Sequence, residues 1–195
     1  MRNIKNIKRK KLLLFAVTVL IVMGIGTPTY IYYYPHIIYT TWENAIVDNG
    51  FGATPNATGI PVNTLYTVTT LASPSTHNNV AGANHDTLYT IGVLDLSKGP
   101  QILHVPDMDG RYYSVEFVDT WGDAVAYVGQ RTTGTQAGDY LISGPGWKGN
   151  LPTGMTQIAS SDNSLLVIGR VLVYNDSDLT TAYNLSKQIQ LTPLT

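Results

Sequence analysis

From Lys11 to Glu43 the chain runs for 31 residues without a charged side chain, and this gap constrains its architecture more than any other feature. It opens with Leu12-Leu13-Leu14-Phe15-Ala16-Val17-Thr18-Val19-Leu20-Ile21-Val22-Met23 and passes into a tyrosine-rich stretch ending at Tyr34. A bilayer core takes about 20 apolar residues in a helix, and residues 12–34 would rise about 34 Å as one. Before the gap stand Arg2, Lys5, Lys8, Arg9, Lys10 and Lys11 with no acid. Positive charge stays on the cytoplasmic side of a membrane. The expectation is therefore a basic cytoplasmic tail over 1–11, a transmembrane signal anchor over 12–34 and an extracytoplasmic C-terminal domain. Tyr30, Tyr32, Tyr33 and Tyr34 would sit at the far headgroup level, where amphipathic rings are favoured. A cleaved signal peptide would share the basic region and the first apolar run. However, Gly24–Thr29 offers no clean small-x-small cleavage site, and apolar character resumes beyond Pro28.

The overall balance of 12 Lys+Arg against 13 Asp+Glu hides an opposition. Residues 1–11 carry +6, and residues 12–195 hold six bases against 13 acids, a charge of −7. A domain so charged repels a nucleic-acid backbone, so no nucleic-acid partner is expected. The basic tail reads instead as a topology signal or an anionic-lipid contact. With no cysteine in the chain, disulfides, thiolate nucleophiles, iron–sulfur clusters and cysteine zinc sites are excluded.

Residues 35–60 read as a helix and linker. Pro35 suits a first helical position, Ile38, Trp42, Ala45 and Ile46 recur at helical spacing, and Asn49-Gly50 supplies a stop. Beyond residue 61 strand signals dominate. Strands are expected over Leu88–Leu94, Gln101–Val105, Arg111–Val118, Ala124–Gln130, Asp139–Ile142, Thr156–Ala159 and Leu165–Tyr174. The turn-forming run Pro106-Asp107-Met108-Asp109-Gly110 pairs the second and third as a hairpin. Short strands without intervening helices point to an antiparallel sandwich or barrel. One helix closes the chain, capped by Asp176 or Ser177, with Leu179, Ala182, Tyr183 and Ile189 as its apolar stripe.

A run of motifs resembles a known family. Asn84-His85-Asp86-Thr87-Leu88-Tyr89 and Leu94-Asp95-Leu96 begin it, and Val105-Pro106, Arg111-Tyr112-Tyr113, Asp119 and Gly129-Gln130-Arg131-Thr132-Thr133-Gly134 continue it. Ala137-Gly138, Gly144-Pro145-Gly146-Trp147, Pro152-Thr153-Gly154, Gly169-Arg170, Asp178-Leu179 and Leu191-Thr192-Pro193-Leu194 follow, with Pro61-Val62-Asn63 as the opening. In this order they resemble the family of domain of unknown function 1254, over about residues 61–194. The resemblance implies a mainly β fold, an immunoglobulin-like antiparallel β-sandwich with flanking helices, and no agreed biochemical activity. Members commonly carry a second β-rich domain after this one. The expectation is that a partner protein carries that second domain.

The candidate chemistry is sparse. Asn84, His85, Asp86 and Tyr89 form a polar cluster ahead of a strand. Asp86 would be a general base or hydroxyl acceptor, or else the group is a turn whose side chains bond the backbone. On the strand expected over Arg111–Val118, Arg111, Tyr113, Val115, Phe117 and Asp119 share one face and Tyr112, Ser114, Glu116 and Val118 the other. Arg111, Arg131 and Arg170 are isolated arginines, suited to a substrate carboxylate or phosphate, or to an ion pair with Asp86 or Asp119. The histidines His36, His77, His85 and His104 lack metal-ligand spacing, and Asp107-x-Asp109-Gly110 lacks the rest of a calcium loop, so no metal and no cofactor are expected. No Gly-x-Ser-x-Gly elbow and no phosphate-binding loop occurs. Sequons begin at Asn56, Asn175 and Asn184.

Two functions from different classes follow. One is a membrane-anchored binding module of the cell envelope, with Asn84, Asp86, Tyr89, Arg111 and Arg131 as binding residues for an envelope polymer or partner protein. The other is an exported hydrolase of polysaccharide or ester substrates, with Asp86, Asp119 and Glu116 as acids and Arg131 as oxyanion or carboxylate clamp. A third outcome is a remnant of a two-domain ancestor in which these residues serve folding alone.

Overall fold

The computed structural model describes residues 2–51, 58–72 and 84–194. The chain forms two compact units, Met1–Ile38 and Tyr39–Thr195. The first is helical. Helix α1 covers Arg2–Ile21, a π-helical turn covers Val22–Gly26, and helix α2 runs over Thr27–Asn49. This N-terminal helical stretch is long and apolar enough to span a membrane. Leu12, Leu13, Leu14, Phe15 and Leu20 are each about two-thirds exposed. The hydroxyls of Thr18 and Thr29 donate to the carbonyls of Leu14 and Ile25, which satisfies them within the helix. The π turn falls at Gly24 and Gly26, where the backbone tolerates a local widening. Pro35 lies inside α2 and does not begin a new helix.

The second unit is built on two sheets. Sheet A has the order β1-β2-β8-β4-β5, from β1 (Tyr66–Thr67), β2 (Thr87–Asp95), β4 (Tyr113–Val118), β5 (Ala124–Gly129) and β8 (Ser164–Leu172). Sheet B has the order β7-β6-β3-β9, from β3 (Gln101–Val105), β6 (Gly138–Ser143), β7 (Thr156–Ala159) and β9 (Gln190–Pro193). Both sheets contribute to one buried cluster: Leu88, Val115, Phe117 and Val167 come from sheet A, and Leu103, Val105, Tyr140 and Ile142 from sheet B. Along β4 the expected alternation is observed, with Tyr113, Val115 and Phe117 buried and Ser114, Glu116 and Val118 half-buried on the outer face. Strand β2 is buried on both faces because its outer residues Ile91 and Val93 pack with Tyr39, Ile46 and Ile60.

Four expectations are corrected. The segments Gln101–Val105 and Tyr113–Val118 do not form a hairpin, since β3 pairs with β6 and β9 while β4 pairs with β8 and β5. The turn between them is drawn inward. Met108 is fully buried, and its N–H donates to the Thr135 carbonyl at 2.7 Å, so the chain crosses from one sheet to the other. Sheet B is mixed, because β6 and β7 run parallel. Gly144–Met155 carries the chain back to the end where β6 began, so it cannot act as a hairpin loop. The closing helix α3 covers only Leu179–Ser186; Ile189 is buried beyond its end, and the following residues pair with β3 as β9. The turn before α3 is capped by Asn175, whose side chain accepts from Ser177 N–H at 3.0 Å.

The fourth correction concerns α2. Of the expected stripe Ile46 is buried, but Ile38, Trp42 and Ala45 are exposed, and Tyr39, Glu43 and Val47 face the sheet with Ile46 instead. The reason is polar. Tyr39 and Glu43 converge on Ser164 at the start of β8: Tyr39 Oη and Ser164 Oγ are 2.9 Å apart, and Ser164 Oγ donates to Glu43 Oε1 at 2.8 Å. Removing that hydroxyl strands both partners at a half-buried seam. Ser164→Ala is expected to lower stability by about 1–2 kcal/mol in urea unfolding of the detergent-solubilised chain, while Ser164→Thr keeps most of it.

Candidate functional site

The outer face of sheet A carries an open cleft of about 370 Å³, lined by residues of β4, β5, β8 and the loop after β5. Strand register assembles it. Tyr89 on β2, Arg170 on β8, Ser114 on β4 and Gly129 on β5 lie in one row across the sheet. Ile168, Glu116 and Tyr127 occupy the same face one step along. Small residues therefore form the floor, and long polar ones form the walls. A Cβ on Gly129 would lie 2.6 Å from the Tyr113 carbonyl oxygen and 2.9 Å from Ser114 Cα, so the close approach of β5 to β4 requires glycine there.

The walls are linked. Arg170 Nη1 donates to Glu116 Oε2 at 3.2 Å, and Tyr127 Oη donates to Glu116 Oε1 at 2.6 Å. Burial acts against the Arg170 charge, but hydrogen bonds to Glu116 and Tyr89 outweigh it and raise its pKa above the ordinary value. The hydrogen bond to Glu116 also pushes the Tyr127 phenol up. Arg170 lies 5.6 Å from the centroid of Tyr89, and Arg131 lies 5.8 Å over the ring of Tyr112. Phe51 meets Tyr89 edge-on at 6.2 Å. The result is a shallow site with two guanidiniums, one carboxylate and tyrosine rings on its rim.

The structure gives other roles to much of the expected set. Asn84 Oδ1 accepts from the N–H groups of Asp86 and Thr87 at 2.9 and 3.2 Å, and its amide donates to Thr87 Oγ1, a turn that starts β2. His85 and Asp86 are exposed, and the Asp86 carbonyl accepts from Val173 N–H. Asp119 Oδ1 accepts from Trp121 and Asp123 N–H at 2.9 Å each and shapes the β4–β5 turn. Asp86 is level with Val173, and Asp119 lies beyond the Val118–Leu166 pair, about 25 Å along the sheet at the rise of a strand. Asp86, Asp119 and Glu116 thus do not converge on one cleft. Of the three, only Glu116 lines it, together with Arg131.

Arg111 is an ion-pair residue, but its partner is neither Asp86 nor Asp119. Nη2 donates to Asp178 Oδ1 at 2.8 Å, Nη1 donates to Asp178 Oδ2 and, at 2.7 Å, to the Leu172 carbonyl, and the Tyr174 ring lies 4.6 Å away. Asp178 also accepts from Tyr174 N–H at 2.9 Å. His104 Nδ1 and Asp139 Oδ1, cross-strand neighbours on β3 and β6, are 2.7 Å apart on the exposed face of sheet B. Among the described residues no three His, Asp or Glu side chains assemble to hold a metal ion. His77 and Asn56 lie outside the described residues; Asn175 and Asn184 are exposed.

A family model with the description Protein of unknown function (DUF1254) matches residues 62–193. The chain belongs to the DUF1254 family. Its DUF1254 region includes both sheets, α3 and every wall of the cleft. Among solved structures, the VPA0106 protein from Vibrio parahaemolyticus is similar at 28% identity and a TM-score of 0.66. The alignment covers 85% of this chain and 36% of the Vibrio protein, so this chain spans about a third of its length. A putative uncharacterized protein from Burkholderia cenocepacia aligns at 14% identity and a TM-score of 0.39, over 57% of this chain and 31% of that one, too distant to bear on the fold. No curated protein matches.

The cleft residues that sequence reasoning missed are Tyr112 and Tyr127 as a rim and Glu116–Arg170 as a pair. Alternation along β4 and β5 marks Glu116 and Tyr127 as outward-facing. What it cannot supply is the register that sets Arg170 beside them.

Proposed function

We propose that this DUF1254 protein is a membrane-anchored binding module of the cell envelope. Its anchor is the N-terminal helix, its orientation is N-terminus cytoplasmic, and its two sheets form a sandwich of immunoglobulin-like outline. The cleft of Tyr112, Ser114, Glu116, Tyr127, Arg131 and Arg170 takes an extended envelope polymer. One observation carries this: aromatic rings and guanidiniums converge on a shallow open face whose one carboxylate among the described residues, Glu116, is held by Arg170 and Tyr127. Such a surface binds by stacking and hydrogen bonding. A glycosidase needs two carboxylates flanking the bond, and the cleft supplies one. The +6 tail supports the orientation by its position ahead of the apolar helix.

The purified full chain in detergent should co-sediment with insoluble cell-wall polysaccharide in a saturable manner. Tyr127→Ala is expected to weaken this at least fivefold, since it removes the most exposed ring of the cleft. Saturable release of reducing ends by the wild-type chain, lost in Glu116→Gln, would instead establish the hydrolase. Orientation is tested by protease added to intact cells, which should digest the β domain and spare the tail.

A further inference from the structure

We infer that the ligand of this cleft is a glycan bearing an anionic group on its sugar ring, and that Arg131 is the residue that reads that charge. The inference rests on the cleft being the binding site. The two cleft arginines are not equivalent. Arg170 is matched by Glu116 at 3.2 Å, so its charge is cancelled where it stands. Arg131 has no carboxylate partner among the described residues, and the segments 52–57 and 73–83 contain no Asp or Glu. The cleft is left with one uncompensated positive charge in a domain that carries −7.

That imbalance selects a ligand. At physiological salt, charges more than about 8 Å apart are largely screened, so a ligand group inside the cleft feels Arg131 before the domain as a whole. A densely charged polymer such as nucleic acid meets the negative domain along its whole length and is repelled. A glycan with one acid among neutral sugars meets that repulsion only at the acid, which Arg131 compensates. Arg131 lies 5.8 Å over the Tyr112 ring with no carboxylate partner among the described residues, so its N–H donors can meet a carboxylate or phosphate, which the planar fork binds bidentately. The neutral part of a sugar is served separately. Tyr127 is 45% exposed and tethered through its hydroxyl to Glu116, so its ring presents a fixed apolar face to the C–H side of a pyranose at little entropic cost. Ser114 and Gly129 keep the floor low enough for the ring to lie down.

The test uses the full chain in nanodiscs of zwitterionic lipid and four hexasaccharides: neutral galactan, the same oligomer carrying one galacturonate, its methyl ester, and galactan bearing a single 6-phosphate. Calorimetry should show at least one anionic oligomer binding tenfold or more tighter than the neutral one, with the methyl ester reduced to the neutral level. The tighter of the two anionic arms identifies the source of the charge. Arg131→Ala should bring the anionic oligomers down to the level of the neutral one, Arg131→Lys should retain part of the preference, and Tyr127→Ala should weaken all four alike. Circular dichroism checks that each variant is folded. Equal affinity for neutral and anionic oligomers, or an unchanged preference in Arg131→Ala, overturns the inference and leaves the cleft as a glycan site. Absence of binding to all four by the folded chain overturns both.

Discussion

Replacing Arg111 by alanine is expected to cost about 3–5 kcal/mol of stability, because it leaves a partly buried carboxylate without its counter-ion. The guanidinium is buried, bonded at two points to Asp178 and at a third to the Leu172 carbonyl, and packed on Tyr174. It ties the start of β4 and the end of β8 to the turn that opens α3. Truncation leaves Asp178 with only the Tyr174 N–H and leaves the Leu172 carbonyl without its guanidinium. Urea unfolding of the detergent-solubilised chain at pH 7 gives the difference. Its pH dependence separates the ion pair from simple packing. The Arg111 hydrogen bond holds the Asp178 carboxyl below the usual carboxylate range. A group depressed on folding contributes stability above its unfolded pKa and loses it as pH falls through the folded one. The gap between wild type and Arg111→Ala should therefore be full above about pH 5, and should narrow as the pH drops below about 3.9. A gap that does not change between pH 7 and pH 3 would mean that lost packing is the whole effect.

Gly92→Ala is expected to destabilise by about 3 kcal/mol or to abolish soluble expression, as overpacking against backbone does. A Cβ at this position would collide with the Thr64 carbonyl oxygen and lie 2.7 Å from Leu65 Cδ2. Leu65 can rotate away; Thr64 cannot. The segment crossing over β2 is fixed on one side by Asn63 N–H to the Val93 carbonyl at 2.7 Å and on the other by Val68 N–H to the Tyr89 carbonyl at 2.9 Å. The Asn63 side chain adds two bonds to the Asp95 backbone, at 2.8 and 3.1 Å. Relaxation would have to break one of these. Gly169→Ala on the neighbouring strand serves as the control. Its Cβ would lie 3.0 Å from Thr90 Cβ and 3.3 Å from the Thr90 carbonyl oxygen, a looser fit than at Gly92, so the same substitution should cost less. Equal losses at the two positions would rule out the Thr64 crossing as the cause.

Strand positions were legible from β-prone runs bounded by turn residues, and Gln101–Val105 and Thr156–Ala159 coincide with β3 and β7; along β3 burial on one face also gives a period of two. The two-residue β1 and the edge strand β9 were not, since β1 is too short to show a pattern and β9 exists by pairing with β3. The stripe on α2 was misplaced in part for a related reason. Hydropathy ranks Ile38 and Trp42 above Tyr39 and Glu43, but the neighbour on the sheet is a serine, and a hydroxyl favours a phenol and a carboxylate. At the site, residue chemistry marked Arg131 and Glu116 as candidates. Only register shows that Glu116 neutralises Arg170 and that no carboxylate among the described residues neutralises Arg131.

By itself the sequence determined what depends on composition along the chain: a helix long and apolar enough to span a membrane, a basic tail before it, a mainly β domain after it, and membership of a family by motif order. Those properties are local or additive, and hydropathy, charge and turn chemistry express them directly. The tertiary structure decided what depends on pairs distant in sequence. It sent β3 and β4 to different sheets, set Arg111 on Asp178 and gathered tyrosines and arginines into one cleft. A pair of side chains 50 or more residues apart interacts only through the register of the strands between them. That register is set by burial of Met108, Phe117 and their neighbours collectively, and no single stretch of sequence carries it.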